Sequence, residues 1–214
     1  VWLDYFDHVY CIHLPNDKRR EAIEKQFDAV GITDVHYIHA TPPSPNFTMN
    51  NMRRGARGEF GCSLSHIKAA VEAIKDRAQH PLFLEDDVTF RENTVADMQA
   101  AISELPAVWE VLYLGGHPRG PAEKYSQHLA QISTFSFAEA YSIKGWALPR
   151  WFSFWADRTG QKNAMVDLIL GEFAAENSGF CVYPIITYQP PGRSQISGKH
   201  DDKSNCLKKG WAGI

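Results

Sequence analysis

The stretch PLFLEDDVTF (81–90) decides the fold. Three apolar residues, Leu82 to Leu84, run straight into Glu85, Asp86 and Asp87, and apolar Val88 follows. A short apolar run after a breaking proline reads as a buried strand. Taking neighbouring carboxylates out of water costs several kcal/mol per ion unless something pairs with them. Two readings are open: a solvated turn, or a strand end that meets a cation. In open α/β sheets ligands bind at the carboxyl ends of strands, where this acidic run stands. Side chains alternate along a strand, so Glu85 and Asp87 face one way and Asp86 the other. A carboxylate pair on one face suits a hard divalent cation, Mg2+ or Mn2+.

Outward from this strand the chain alternates strands and helices. HVYCIHL (8–14) is a buried strand, and Asn16 or Asp17 caps a helix with the apolar stripe Ala22, Ile23, Phe27 and Val30, ended by Gly31. VHYIHA (35–40) is a second strand, and strand–helix–strand opens an α/β fold. Residues 41–58, rich in Pro, Asn and Arg, read as a long loop. Ser63 then caps a helix with Leu64, Ile67, Val71 and Ile74 on one face, broken by Pro81. Beyond the acidic run, 93–105 is a helix and VLYLGG (111–116) a buried strand, followed by a polar loop. Residues 136–149 read as one or two strands, 163–177 as a helix, and CVYPIITY (181–188) as a last strand that Pro184 marks as an edge or bend. With no internal repeat and no linker, the expectation is a single α/β domain over 1–190, a mostly parallel central sheet flanked by helices. A polar C-terminal tail, 191–214, follows.

Composition narrows the class. The 214 residues are 44% hydrophobic and 22% charged, enough for a sizeable core. Lys and Arg number 22 against 25 Asp and Glu, a net charge of −3, which argues against a nucleic-acid partner. No apolar run reaches the roughly 18 residues of a membrane span. The first residues lack the basic region of a signal peptide. Cys11, Cys62, Cys181 and Cys206 are far apart, with no zinc-ligand spacing. A soluble, cytoplasmic protein in a reducing compartment is expected.

Three segments in order carry a resemblance: YCIHLPNDKRREAI (10–23), GEFGCSLSHIKAAVEAI (58–74) and LFLEDDV (82–88). Together they resemble glycosyltransferase family 25, the lipooligosaccharide and procollagen galactosyltransferase group. VLYLGG (111–116), AYSIKGWALP (140–149) and Met165-Val166-Asp167 agree more loosely, and Ile12-His13-Leu14 stands where the family usually carries Ile-Asn-Leu. The resemblance implies a GT-A type fold and a metal-dependent, inverting transfer of a hexose, most often galactose, from a UDP-sugar. Mn2+ (or Mg2+) is the implied cofactor. The acceptor is a glycan or glycoprotein: a lipooligosaccharide, as in lipopolysaccharide biosynthesis at the membrane periphery, or a hydroxylysine.

By the same resemblance Asp87, Glu85 and His200 are the implied metal ligands. His13, Arg19, Arg20, Ser65, His66, Glu85 and Asp86 are the implied donor contacts, His13 beside the base and the arginines near the diphosphate. Gly58, Gly61 and Ser63 form the implied turn and helix start, with Glu59 a guess for a sugar hydroxyl. Asp167 is the implied general base, with Glu139 and Asp157 in reserve, and the tail, with Arg193 and Lys199, is a candidate lid. Trp146, Trp151, Phe152, Phe154 and Trp155 are either core or an acceptor platform. Two other functions remain open from the residues alone. One is a metal-dependent phosphoryl or nucleotidyl transferase using the same acidic strand end. The other is a catalytically inactive sugar- or nucleotide-binding module.

Overall fold

Alternation along two strands builds both cores. In β1 (His8–His13), Tyr10 and Ile12 enter one core while Val9 and Cys11 enter the other. In β3 (Pro81–Glu85), Phe83 joins the first core, and Leu82 and Leu84 join the second. Strands covered on both faces read as continuous apolar runs, which is why 8–13 and 81–84 lack polar alternation. The computed structural model describes residues 4–15, 17–42, 56–159, 165–193 and 200–201, with backbone alone for 17, 56, 57, 192, 193, 200 and 201.

Helix α1 (Asp17–Val30) buries Ile23, Phe27 and Val30, and Gly31 ends it at φ 78°. The left-handed backbone there is cheap only for glycine. The chain returns through β2 (Val35–His39), parallel to β1. Helix α2 (Ala56–Lys75) leads into β3, parallel to β1 on its other side. The short β4 (Thr89–Phe90) and helix α3 (Thr94–Glu104) follow, then β5 (Val111–Tyr113).

Residues 117–136, expected as a polar loop, instead form β6 (His117–Pro118), β7 (Ala122–Lys124), β8 (Leu129–Ile132) and β9 (Phe135–Ser136). These strands are two to four residues long, too short to leave a periodic signal. The expected strand region 136–149 yields one strand, β10 (Ala140–Ile143), then a single 3-10 turn at Gly145–Ala147 and helix α4 (Leu148–Arg158). The sequence reading missed α4, although Pro149 stands at its start, where proline is preorganised for a helix. Helix α5 (Val166–Glu176), β11 (Gly179–Val182) and β12 (Thr187–Tyr188) follow, and β13 (Gly192–Arg193) pairs with β14 (His200–Asp201). The rest of the expected tail lies outside the described residues.

The central sheet has eight strands in the order β2-β1-β3-β10-β5-β11-β8-β7. The α/β class expected from the sequence is observed, with helices on both faces. Strand directions are mixed: β2, β1 and β3 are mutually parallel, as are β5 and β11, but β10 enters antiparallel between β3 and β5, and β8 and β7 add antiparallel edges. No described helix is long and apolar enough to cross a membrane.

Helix α5 crosses β9 closely because Gly171 has no side chain; a Cβ there would overlap the backbone of Phe135. Gly171→Ala is therefore expected to lower stability by about 1–3 kcal/mol through overpacking, read as a lower urea midpoint at unchanged slope.

Candidate active site

The acidic run emerges from β3 with its last strand residue at Glu85. The alternation expected for a longer strand persists through the turn. Asp86 turns back into the protein, where it is 6% exposed. Its Oδ2 accepts from the Leu14 backbone N–H at 3.0 Å, and its Oδ1 accepts from Arg19 Nη1 at 2.5 Å. Glu85 and Asp87 turn the other way and meet at one donor: Gln189 Nε2 donates to Glu85 Oε2 at 2.6 Å and to Asp87 Oδ1 at 2.9 Å. Arg19 Nη2 lies 3.4 Å from Asp87 Oδ2, so the guanidinium spans two carboxylates.

Burial raises the Asp86 carboxyl above the usual carboxylate range, and the Arg19 charge and Leu14 N–H offset this only in part. The parallel pairing of β1 and β3 sets Ile12 beside Glu85, which brings Leu14 and the first turn of α1 to the acidic residues.

His66 is fully buried on α2 and sits behind Glu85. Its Nε2 is 3.0 Å from Glu85 Oε1, and its Nδ1 is 3.0 Å from the Tyr141 hydroxyl. An ionised carboxylate only accepts, so Nε2–H donates to Glu85 and Nδ1 accepts from Tyr141. Burial holds the Tyr141 phenol well above its usual range, which keeps it a donor. Cys62, one turn before His66, offers a sulfur; the ligand atoms of Cys62, His66 and Glu85 all lie within 4.8 Å of one another.

The other expected residues divide. Arg20 is turned away from the acidic run, with Nε donating to Glu24 at 2.5 Å and its guanidinium 3.0 Å from the Tyr37 ring centroid. Ser65 donates to the Gly61 carbonyl at 2.6 Å and accepts from the Thr41 N–H at 2.8 Å, so its hydroxyl tethers a loop to α2. Gly58, Glu59, Gly61 and Ser63 lie inside α2 rather than in a turn, and Ser63 is fully buried instead of capping. Two glycines resemble a turn in sequence, but packing of the buried face carries the helix through them.

His13 ends β1, 7% exposed, with its ring against Tyr37 and His39. Its Nδ1–H donates to the Leu14 carbonyl at 3.2 Å, and its buried Nε2 has no hydrogen-bond partner among the described residues. Burial lowers its pKa and favours the neutral ring.

Asp167 stands in the first turn of α5, where Oδ2 accepts from the Phe137 N–H at 3.4 Å. Glu139 is 2% exposed, and its carbonyl accepts from the Glu85 N–H at 2.9 Å. Its side chain reaches Gly115, where a Cβ would come within 2.9 Å of Oε1. Asp157 is exposed on α4. The side chains of His200 and Arg193, and all of Lys199, lie outside the described residues.

Of the aromatic group, Trp151 and Trp155 face the core one helical turn apart, and Phe154 packs edge-on against Phe173. Trp146 and Phe152 are exposed. Gln189 and Tyr141 are the site members that sequence reasoning missed. A glutamine before Pro190-Pro191, directly after the last strand, was the available signal for the first.

The site fits a divalent cation on one observation: two carboxylates from one strand end converge on a single Gln189 nitrogen, an arrangement of hard oxygen donors around one point. Glu85 and Asp87 would hold the ion, and Gln189 would turn aside or supply its amide oxygen.

Removing Arg19 leaves the Asp86 carboxylate without its cation. Arg19→Ala is expected to lower stability by about 1–3 kcal/mol. The Asp86 pKa is already raised in the folded state, so its contribution is full below the unfolded value and is lost as pH rises through the folded value. Without Arg19 the folded value moves higher still. The deficit should be small below about pH 4 and grow toward neutrality, and urea melts across that range read it.

The comparisons with known proteins bear on this site. Residues 6–145 match the family model described as "Glycosyltransferase family 25 (LPS biosynthesis protein)". That stretch contains β1, α1, α2, the acidic run and β10. A mimivirus protein (Acanthamoeba polyphaga mimivirus) named "Procollagen lysyl hydroxylase and glycosyltransferase" is 34% identical over 128 residues, 55% of this chain and 14% of that protein. A Drosophila melanogaster "Glycosyltransferase 25 family member" is 28% identical over 130 residues, 51% of this chain and 21% of that protein. The chain thus spans about a fifth or less of the length of these relatives. A solved glycosyltransferase "involved in the glycosylation of the major capsid of PBCV-1" is a distant structural likeness: 12% identity, 83% of this chain and 94% of that one, TM-score 0.37. With the family match covering most of the chain and both acidic and His66 segments inside it, the protein belongs to glycosyltransferase family 25.

Proposed function

We propose that this chain is a metal-dependent, inverting hexosyltransferase that takes a UDP-sugar, UDP-galactose first among the candidates, and glycosylates a glycan or glycoprotein. The observation that carries this reading is the division of labour in the acidic run. Asp86 is locked inward by Arg19 and Leu14, and Glu85 and Asp87 are left side by side at the strand end. A cation held there, Mn2+ or Mg2+, supplies charge neutralisation for the departing diphosphate oxygen.

The chain's own residues do the rest. His66, fixed by Tyr141, orients the Glu85 carboxylate. Arg19 holds Asp87 as well as Asp86 and sets the rim of the site. The buried acceptor atom of His13 suits the N–H of a pyrimidine base. Asp167 accepts the proton of the attacking acceptor hydroxyl, with Glu139 the alternative because its backbone pairs directly with Glu85. Inversion needs one displacement and one base, so no covalent sugar–enzyme bond forms. The names of the family and of its viral relative suggest a lipooligosaccharide or a hydroxylysine of a collagen-like protein as the acceptor.

The test is a transfer assay with a panel of UDP-sugars against both acceptor classes, with product analysis. Released UDP with sugar on the acceptor supports the reading; sugar 1-phosphate released with UMP on the acceptor would point to nucleotidyl transfer, and UMP released with a phosphosugar on the acceptor to phosphosugar transfer. Asp87→Asn should lower kcat on the order of 100-fold. Asp167→Asn should lower it by about 10²–10⁴ with KM for the donor little changed. Full activity in chelator, or in Asp87→Asn, would sink the metal assignment.

A further inference from the structure

A second cluster of ligand-type side chains lies at the other end of β1. His8 opens that strand, roughly 16 Å of extended chain from His13 beside the acidic site. His8 and Tyr10 share one face of the strand, and His36 of β2 is the direct cross-strand partner of Tyr10. Asp76 follows the last residue of α2, its N–H donating to the Glu72 carbonyl at 2.9 Å. The ligand atoms of His8, His36 and Asp76 all lie within 4.8 Å of one another.

Several details point the same way. The Tyr10 hydroxyl donates to Asp76 Oδ2 at 2.8 Å and aims that carboxylate, the kind of supporting bond that orients a metal ligand. His36 Nδ1 stands 3.6 Å from the same oxygen. His8 Nδ1 is buried with no hydrogen-bond partner among the described residues, 3.7 Å from Asp7 Oδ2. The His8 and His36 rings meet edge to face at 5.5 Å. Asp7, Asp76 and Glu72 all add negative charge around Tyr10.

We propose that His8, His36 and Asp76 form a transition-metal site of the Zn2+ class, separate from the acidic strand end. Two imidazoles and one carboxylate suit Zn2+, Co2+, Ni2+ or Cu2+ over Mg2+, which prefers oxygen alone. Three protein ligands leave a fourth position for water. Drawing the ligand atoms in to tetrahedral spacing needs small rotations, which the 41% exposed His36 side chain is free to make. The three ligands come from β1, from β2 and from the residue after α2, so the ion fastens the outermost strand β2 to the helix that carries His66.

The probe is Co2+, titrated into tag-free protein with excess Mg2+ present to occupy oxygen-only sites. Its visible absorption reports nitrogen ligation, and Zn2+ serves as competitor. Wild type should bind one Co2+ saturably, with Zn2+ displacing it and raising Tm. His36→Gln should weaken binding at least about tenfold and abolish the Tm rise, while its metal-free Tm matches that of the wild type. Asp76→Asn is the second variant, should His36→Gln fold poorly. Cys62→Ser should bind Co2+ like the wild type. Absence of saturable binding overturns the proposal. So does binding that survives His36→Gln and vanishes in Cys62→Ser, which would place the ion at Cys62, His66 and Glu85.

Discussion

The Asp86 carboxylate, buried and shared between the Leu14 N–H and the Arg19 guanidinium, is the interaction on which the rest of the site depends. It ties three elements at one point: the end of β1, the first turn of α1 and the end of β3. Breaking either bond would leave a charge or an amide unsatisfied in a poorly solvated place, so the geometry is enforced by the cost of alternatives. Such an ion pair adds little net stability, because desolvation offsets most of the attraction. Its consequence here is orientation. With the middle carboxylate drawn inward, the flanking two project together beyond the strand.

Around that knot the surroundings specify one arrangement of Glu85. His66 approaches one of its oxygens from α2 and Gln189 approaches the other from the segment after β12. Tyr141, from the antiparallel β10, fixes the His66 ring from behind. A carboxylate fixed on one oxygen by the buried His66 of α2 is preorganised, and preorganised charge is what electrostatic catalysis requires. The antiparallel entry of β10 matters for the same reason. It delivers Tyr141 under the site and sets the Glu139 carbonyl on the Glu85 N–H.

The strand–helix–strand opening and the acidic end of β3 were legible because apolar runs and a helical stripe leave periodic signals. The opposite facing of Asp86 and its neighbours also followed from strand alternation, although the strand itself stops at Glu85. Four parts were not legible. The contacts of His66 depend on β10 and α2 meeting across the sheet, which no local pattern encodes. Gln189 comes from more than a hundred residues away. Helix α4 has buried Leu148, Trp151 and Trp155 at helical spacing, but the strand reading of 136–149 ran across its start and left the rest as an aromatic run. The separation of Arg19 from Arg20 was equally hidden, since adjacent residues on a helix point about 100° apart and only tertiary contacts say which one meets the carboxylates.

The proposed activity turns on whether the strand end at Glu85 and Asp87 is a cation–diphosphate site. Calorimetric titration of UDP into the protein, with and without Mn2+, tests it most directly when wild type is compared with Asp87→Ala. Mn2+ should strengthen UDP binding in the wild type, and Asp87→Ala should remove the gain while the protein stays folded. Equal UDP affinity with and without Mn2+, or no UDP binding under either condition, would contradict that assignment and leave the acidic run as a structural turn.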